Sequence, residues 1–500
     1  MTTTTLTEEE LWGFDVCGFL VVRAALSTAD LHRANTDSNS LDWLAEHPIT
    51  LKYVEALAGR GARLDQPVRP VSPSHGPALT GTNVPWDPTR GYYFKLGGAR
   101  QCQSLGVVWV LGDLQGGTTS QYAIVPGSHK SALPTPAAVL AGQEESALSR
   151  PHLHTGDMLL HAGTALHGIV PPPGGHVDND QLVACEFAGF TTARPKQTVE
   201  LPPWTNELSQ EQRAVFDPAI GLSSNGERCW LREQEHGDDA GRRVAVDSSD
   251  DQRVGPPEEV WWWDTFGYLL LRGVMTPDWI AEANAALDAN MDKLTGPHPD
   301  WTDKGDAWSP RLRGKGHSGI ADLFTLPSPH CDVFRRGMIA HPAVVRCLNW
   351  MIGLRWCCDP RNQPAASHWE TGTAGIGLHS GHSIETGVAQ RRPEVDYRLE
   401  NQRCFCESVN VSWQISPCRP EDGGFVCIKG SHKASHPIPR TEDTSIDMDQ
   451  VEHIATEPGD ILFFLGTSQT HGAWGWSGRL PRRTLIMRYH TYPAYPPPPP

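Results

Sequence analysis

Three blocks of this sequence occur twice, in the same order, and that repetition constrains the fold more than any other feature. "FDVCGFLVVRAALSTADL" (14–31) returns as "DTFGYLLLRGVMTPDWI" (264–280). "LGVVWVLGDLQGGTTSQYAIVPGSHKSALP" (105–134) returns as "VNVSWQISPCRPEDGGFVCIKGSHKASHP" (409–437), and "HTGDMLLHAGTALHG" (154–168) as "EPGDILFFLGTSQTHG" (457–472). A period this long is no solenoid, so each copy is expected to be a domain. At 500 residues the chain exceeds what one ordinary core holds. The expected division is a first domain over 1–200, a polar linker over 201–256, a second domain over 257–492 and a proline-rich tail over 493–500, read as a solvated polyproline II end. A short helix at "SQEQRAVF" is expected before the linker.

Within each copy a short strand leads into a helix. In copy two, Thr276 fits an N-cap and Pro277 the first helical position. Ile280, Ala283, Leu287, Met291 and Leu294 follow at helical spacing, and Gly296 ends the run. In "VNVSWQI", Val409, Val411, Trp413 and Ile415 alternate with Asn410, Ser412 and Gln414, the period of a strand with two unlike faces. "GDILFFLG" and "RRTLIMRYHTY" read as further strands. Short strands broken by Gly and Pro predict a mainly β protein with flanking helices, two double-stranded β-helix (jelly-roll, cupin-like) domains in tandem.

Composition excludes some roles. A net charge of −16 argues against nucleic-acid and anionic-membrane partners. No stretch has the apolar length of a membrane span, and the N-terminus lacks a secretory pattern, so a cytoplasmic protein is expected. The twelve cysteines are scattered and read as buried thiols, Cys404 and Cys406 as alternate residues of a strand.

Histidine carries the chemical signal, because neutral imidazole is a common iron and zinc ligand. His379 lies in "GLHSGH" ahead of the strand pair, and His471 follows "GDILFFLG". Eleven residues on, Arg482 opens the last strand, where an inward guanidinium needs an acid or an acidic ligand. The ordered set "GYLLLRGVMTPDWI", His, "PEDGGFVCIKGSHK", "PGDILFF…THG" and Arg resembles the phytanoyl-CoA dioxygenase family of non-haem iron(II), 2-oxoglutarate-dependent oxygenases. The resemblance covers most of 258–492 and runs weakly through 8–195.

It implies Fe(II), 2-oxoglutarate and O2 as cofactors, His379 and His471 as metal ligands, and Arg482 as the clamp on the cosubstrate carboxylate. Arg483 is the alternative clamp if the register slips by one. The reaction implied is oxidative decarboxylation of 2-oxoglutarate coupled to hydroxylation of an unactivated C–H bond in a small molecule, with Asn410, Ser412 and Gln414 as pocket-lining residues or solvent-facing ones.

The departure is Gly381, where the family carries aspartate. Four readings stay open: a dead domain; a two-histidine or halogenase site using an open coordination position at Gly381; rescue by Glu385 or another remote acid; or a shifted site at His368 and Glu370 of "SHWE". A non-catalytic metabolite-binding jelly roll and a zinc- or nickel-using cupin-like enzyme are the other classes. His382, His432 and His436 read as ordinary turn residues, and the two "GSHK" histidines, His129 and His432, as turns bonded to their own backbone. Copy one has His75 and His167 in the matching places, but Asp178 where the arginine should stand, so it is expected not to turn over and to pack against copy two as a built-in partner.

Overall fold

The computed structural model describes residues 6–36, 41–59, 62–71, 78–81, 93–96, 99–102, 104–112, 122–131, 133–171, 181–188, 221–222, 228–229, 255–296, 310–312, 318–339, 341–352, 356–357, 364–381, 397–400, 403–406, 408–434 and 450–491. It divides into two compact units, Met1–Ala245 and Val246–Pro500. Every strand pair is antiparallel. The "SQEQRAVF" stretch, the proline tail, His75, Asp178, His382, Glu385 and His436 lie outside the described residues.

In the first unit α1 (Glu8–Cys17) opens with a capping box, Thr7 and Glu10 each bonding the other's backbone N–H. It leads into β1 (Phe19–Val22). With β2 (Arg63–Pro70), β3 (Ser104–Val110), β5 (Met158–Ala162) and β7 (Leu182–Ala188) this strand forms a five-stranded sheet in the order β1-β5-β3-β7-β2. A second pair joins β4 (Tyr122–Ile124) to β6 (His167–Ile169). Asp157 ties the turn before β5 to the chain after β1. It pairs with Arg23 at 2.8 Å and accepts from the backbone N–H groups of Ala24 and His154.

In the second unit α2 (Pro257–Phe266) leads into β8 (Tyr268–Leu271), and α3 (Pro277–Asp288) follows. Thr276 is the N-cap, accepting from Trp279 N–H at 3.3 Å, with Pro277 at the first position. The helix ends at Asp288, short of the expected Leu294. Asn290 turns its amide back onto the Ala286 carbonyl at 2.8 Å and meets His330, and a 3-10 turn covers Met291–Lys293.

The large sheet runs β8-β15-β12-β17-β10-β9, where β9 is Ser318–Ile320, β10 Ala365–Trp369, β12 Ser408–Gln414, β15 Ile461–Leu465 and β17 Arg482–Thr491. The small sheet runs β11-β16-β13-β14, where β11 is Ile376–His379, β13 Gly424–Ile428, β14 Val451–His453 and β16 His471–Trp474. The sheets meet side chain to side chain: Phe425 of β13 and Phe464 of β15 pack with tilted rings, centroids 4.7 Å apart.

The "GSHK" segments correct the sequence reading. His129 and His432 do not close on their own turns. Each ring Nε2 donates to a distant carbonyl, His129 to Asp15 and His432 to Asp264, both at 3.0 Å. The next residues, Lys130 and Lys433, pair with those same two aspartates, each at 2.9 Å, and both carboxylates are fully buried. A buried carboxylate is tolerated when paired and hydrogen-bonded, so each motif pins the N-terminal helix of its unit to the strand pair. The Ser431 hydroxyl accepts from Thr470 N–H at 2.9 Å, which places the residue before His471.

Candidate functional site

His379 ends β11 and His471 begins β16, and the two are cross-strand partners. Their rings lie 4.3 Å apart, centroid to centroid. Each Nδ1 sits on a backbone carbonyl, His379 on Gly377 at 3.0 Å and His471 on Gln469 at 2.9 Å. A carbonyl only accepts, so each Nδ1 carries the proton and each Nε2 the lone pair. Burial holds His471 neutral, well below the usual histidine range, with His379 and Arg488 adding to the effect. Two imidazoles held side by side by their Nδ1 atoms are an arrangement that could serve as a ligand pair for a borderline metal.

Strand register decides between the two arginines. Trp369 of β10 is the partner of Arg482, and His368 is the partner of Arg483. Arg483 leaves the barrel towards α3, where it pairs with Asp288 at 2.6 Å and meets Asn284. Its Nε also donates to His368 Nδ1 at 3.2 Å, and the other nitrogen of His368 holds Glu370 at 2.7 Å. His368 and Glu370 of "SHWE" are thus part of an ion-pair network on the helix side of the sheet, on the face opposite Arg482 and Trp369. Arg482 turns the other way. It is 6% exposed, lies 5.2 Å from the Trp369 ring centroid, and forms no ion pair among the described residues. Its Nε is buried without a hydrogen-bond partner. A side chain on Gly424 (φ +96°) would meet that Nε at 3.0 Å, so β13 leaves room for the guanidinium by carrying glycine.

The same parity runs along β12. Asn410, Ser412 and Gln414 are partners of Arg488, Ile486 and Thr484, on the Arg482 face. Ser412 and Gln414 are buried, and Gln414 donates to the Ser412 hydroxyl at 2.8 Å. The polar face of this strand therefore looks inward, and the apolar face of Val409, Val411 and Trp413 backs the sheet. Thr484, two residues from Arg482, is fully buried and its hydroxyl has no partner. The facing sides of the two sheets thus carry the histidine pair at one place and two orphaned polar atoms at another. Thr484 and Arg488 escaped the sequence reading. Their signal was the parity of β17, usable only once Arg482 was known to face in.

Gly381 is held by its backbone. Its φ is +69° and that of Ser380 is +65°. Its N–H donates to the Thr467 carbonyl at 2.7 Å. A Cβ here would stand 2.7 Å from Thr470 Oγ1 and 2.9 Å from the Ser468 carbonyl oxygen. The space along that Cβ direction is filled by the loop leading into His471.

His453 lies at the Arg482 end, bonded through Nε2 to the Gly423 carbonyl and 3.4 Å from Cys418 Sγ. Burial lowers its pKa from 6.5 to about 4, with Arg482 and Arg311 contributing. The folded state resists protonation here, so this residue's share of stability is complete above pH 6.5 and drains as pH falls towards about 4. His453→Gln keeps a donor for Gly423 and removes the titration. Urea unfolding at neutral pH and about pH 5 is expected to show a smaller acid loss for the variant than for the natural chain.

In the first unit, His167 Nδ1 donates to the Ala165 carbonyl at 2.8 Å, and its ring lies 3.9 Å from that of His161. His161 Nε2 accepts from the Tyr122 hydroxyl at 3.1 Å. Neither residue was singled out from sequence. The trace was a histidine inside the apolar run "MLLHAG", where the second copy has Phe464.

No protein-family model matches this sequence, and no curated protein matches it. Solved structures similar to it include HygX from Streptomyces hygroscopicus with nickel and 2-oxoglutarate bound, 18% identical, covering 48% of this chain and 88% of that one, TM-score 0.38. Another is EctD from S. alaskensis with 2-oxoglutarate and 5-hydroxyectoine, 16% identical, covering 49% and 78%, TM-score 0.33. AviO1 from Streptomyces viridochromogenes Tue57 is 16% identical, covering 48% and 96%, TM-score 0.32. Scores this low carry neither fold nor function across to this chain.

Proposed function

We propose that the second unit is an iron(II), 2-oxoglutarate-dependent oxygenase domain of the phytanoyl-CoA dioxygenase type, acting on a C–H bond of a small organic molecule. The observation that carries the reading is a buried guanidinium without an acid, Arg482, facing the chamber that also holds the His379–His471 pair. The donor set suits the cofactors. The two imidazoles would hold the metal, and the unpartnered Arg482 Nε and Thr484 hydroxyl would hold the distal carboxylate of the cosubstrate. Among the described residues no cluster of three His, Cys, Asp or Glu side chains forms a metal cage, so the remaining positions fall to cosubstrate and water, or to an acid such as Glu385. Bound together, metal and cosubstrate activate dioxygen. The chain's own part is to fix the two imidazole tautomers, hold the carboxylate, and enclose the substrate between two sheets.

We also infer that the two units are a tandem duplication of one jelly-roll domain. The support is contact for contact: Asp15–Lys130 and Asp264–Lys433, His129 and His432 on matching carbonyls, Asp157 with Arg23 and Asp460 with Arg272.

The test is anaerobic titration of the metal-free full chain with iron(II) and 2-oxoglutarate, watching the weak visible charge-transfer band of the chelate. The natural chain is expected to form the band, and His379→Ala and His471→Ala to lose it. Iron that dialyses away with no band overturns the reading. Binding of 2-oxoglutarate without metal would favour a non-catalytic metabolite-binding module instead. A band that shifts on adding chloride would revive halogenation.

A further inference from the structure

The inner face of β17 carries a second cation that the proposed iron and cosubstrate sites do not use. Arg488 is six residues beyond Arg482, which at strand rise is about 20 Å along the same face. Its cross-strand partner is Asn410, and the partner of Asn410 on β15 is Phe464. Arg488, Asn410 and Phe464 thus form one row across three strands, and the Phe464 ring lies 4.8 Å from that of His471. The row faces the histidine pair, whereas Arg482 and Thr484 stand further back.

Arg488 is half-buried, and the bond it makes is to a neutral group, the Ser408 hydroxyl at 3.1 Å. It has no acidic partner among the described residues. A guanidinium in a row that reaches His471 through Phe464 opposes a divalent cation bound there unless an anion offsets it. The distal carboxylate of 2-oxoglutarate is assigned to Arg482, so Arg488 has its bidentate fork available for a second anion. At the matching place the first unit carries Glu186, across from Gly106 and in line with His161. The row has the opposite charge there, as expected if its sign is fitted to a ligand and not to the fold.

Resting on the oxygenase reading above, we propose that Arg488 binds an anionic group of the primary substrate, so that the enzyme takes a small molecule bearing a carboxylate or a phosphate. Arg488 is then the specificity-determining residue of the chamber, with Asn410 beside it for a neighbouring polar group.

The experiment titrates inorganic phosphate into the full metal-free chain and follows thermal stabilisation, in the natural protein and in Arg488→Gln, Arg488→Lys and Arg482→Gln. Phosphate is expected to bind Arg482→Gln with most of its stabilising effect retained. Arg488→Gln should bind it about tenfold more weakly than the natural chain, and Arg488→Lys should recover part of the difference. An unchanged phosphate response in Arg488→Gln overturns the proposal. The iron and 2-oxoglutarate band measured on the same variant separates the two readings. If Arg488→Gln forms the band normally, Arg488 is free of the cosubstrate, as proposed. If it loses the band, Arg488 belongs to the cosubstrate site and the substrate assignment falls. If the natural chain itself shows no band, the oxygenase reading fails, while the phosphate result still decides whether Arg488 is an anion site.

Discussion

Gly381→Asp is expected to weaken metal binding and destabilise the second unit by about 2–4 kcal/mol, not to rebuild a three-ligand site. The resemblance alone suggests the opposite, since aspartate is what the family has at this place. The local geometry reverses that. Position 381 has φ +69° and follows another left-handed residue, Ser380. A Cβ there would meet Thr470 Oγ1 at 2.7 Å, the Ser468 carbonyl oxygen at 2.9 Å and Thr470 N at 3.2 Å. Two of those atoms are backbone, which cannot rotate away. Relief must come from moving the loop of Thr470, and His471 is the next residue. The carboxylate would displace the ligand it is meant to join. Chemical denaturation and iron affinity of Gly381→Asp and Gly381→Ala check this. Alanine has the Cβ without the carboxylate, so both variants should lose stability together. Tighter iron binding by Gly381→Asp at unchanged stability would sink the argument.

The contrast between what the chain spells out and what it conceals follows from the distance at which each feature is decided. Thr276 and Pro277 act within one turn of helix, and α3 starts where they place it. The alternation in "VNVSWQI" is likewise local, and β12 covers all of it but Ile415. Which face of β12 looks inward is not local. The usual rule turns apolar residues to the core, but here helices cover the apolar face and the polar face is turned to the second sheet, so both are buried. The choice between Arg482 and Arg483 waits on the same register. His129 and His432 were misread for a related reason: their acceptors lie 114 and 168 residues away in sequence. The end of α3 was misjudged because the apolar spacing continues past Asp288, while Asn290 spends its side chain on the helix it terminates. Gly381 was legible as a missing carboxylate and illegible as a left-handed turn packed against residues 468–470.

Arg482→Met is expected to raise the stability of the ligand-free chain and abolish 2-oxoglutarate binding. The two effects have one origin. Arg482 is 6% exposed with no ion pair among the described residues, its Nε lacks a hydrogen bond, and the polar side chain that interacts with it is the neutral Cys418 thiol. The Trp369 face at 5.2 Å returns only part of the lost hydration. Asp422, which influences nearby His453, forms no ion pair with it. Burying an unpaired charge costs several kcal/mol, and even buried ion pairs replaced by apolar side chains of similar volume often gain about 1–4 kcal/mol, so removing a lone buried charge is expected to stabilise. Methionine fills the same channel past Gly424. The cosubstrate, however, loses a charge-assisted partner in a dry site, a penalty of about 2–5 kcal/mol, or roughly 30-fold to several thousand-fold in affinity. Saturating 2-oxoglutarate stabilises only the protein that binds it. The order of stabilities should therefore invert: variant above natural chain without ligand, natural chain raised and variant unmoved with it. Urea unfolding with and without 2-oxoglutarate reads both signs. A variant less stable than the natural chain when ligand-free would mean that Arg482 is held by contacts within the fold and is not waiting for an acid.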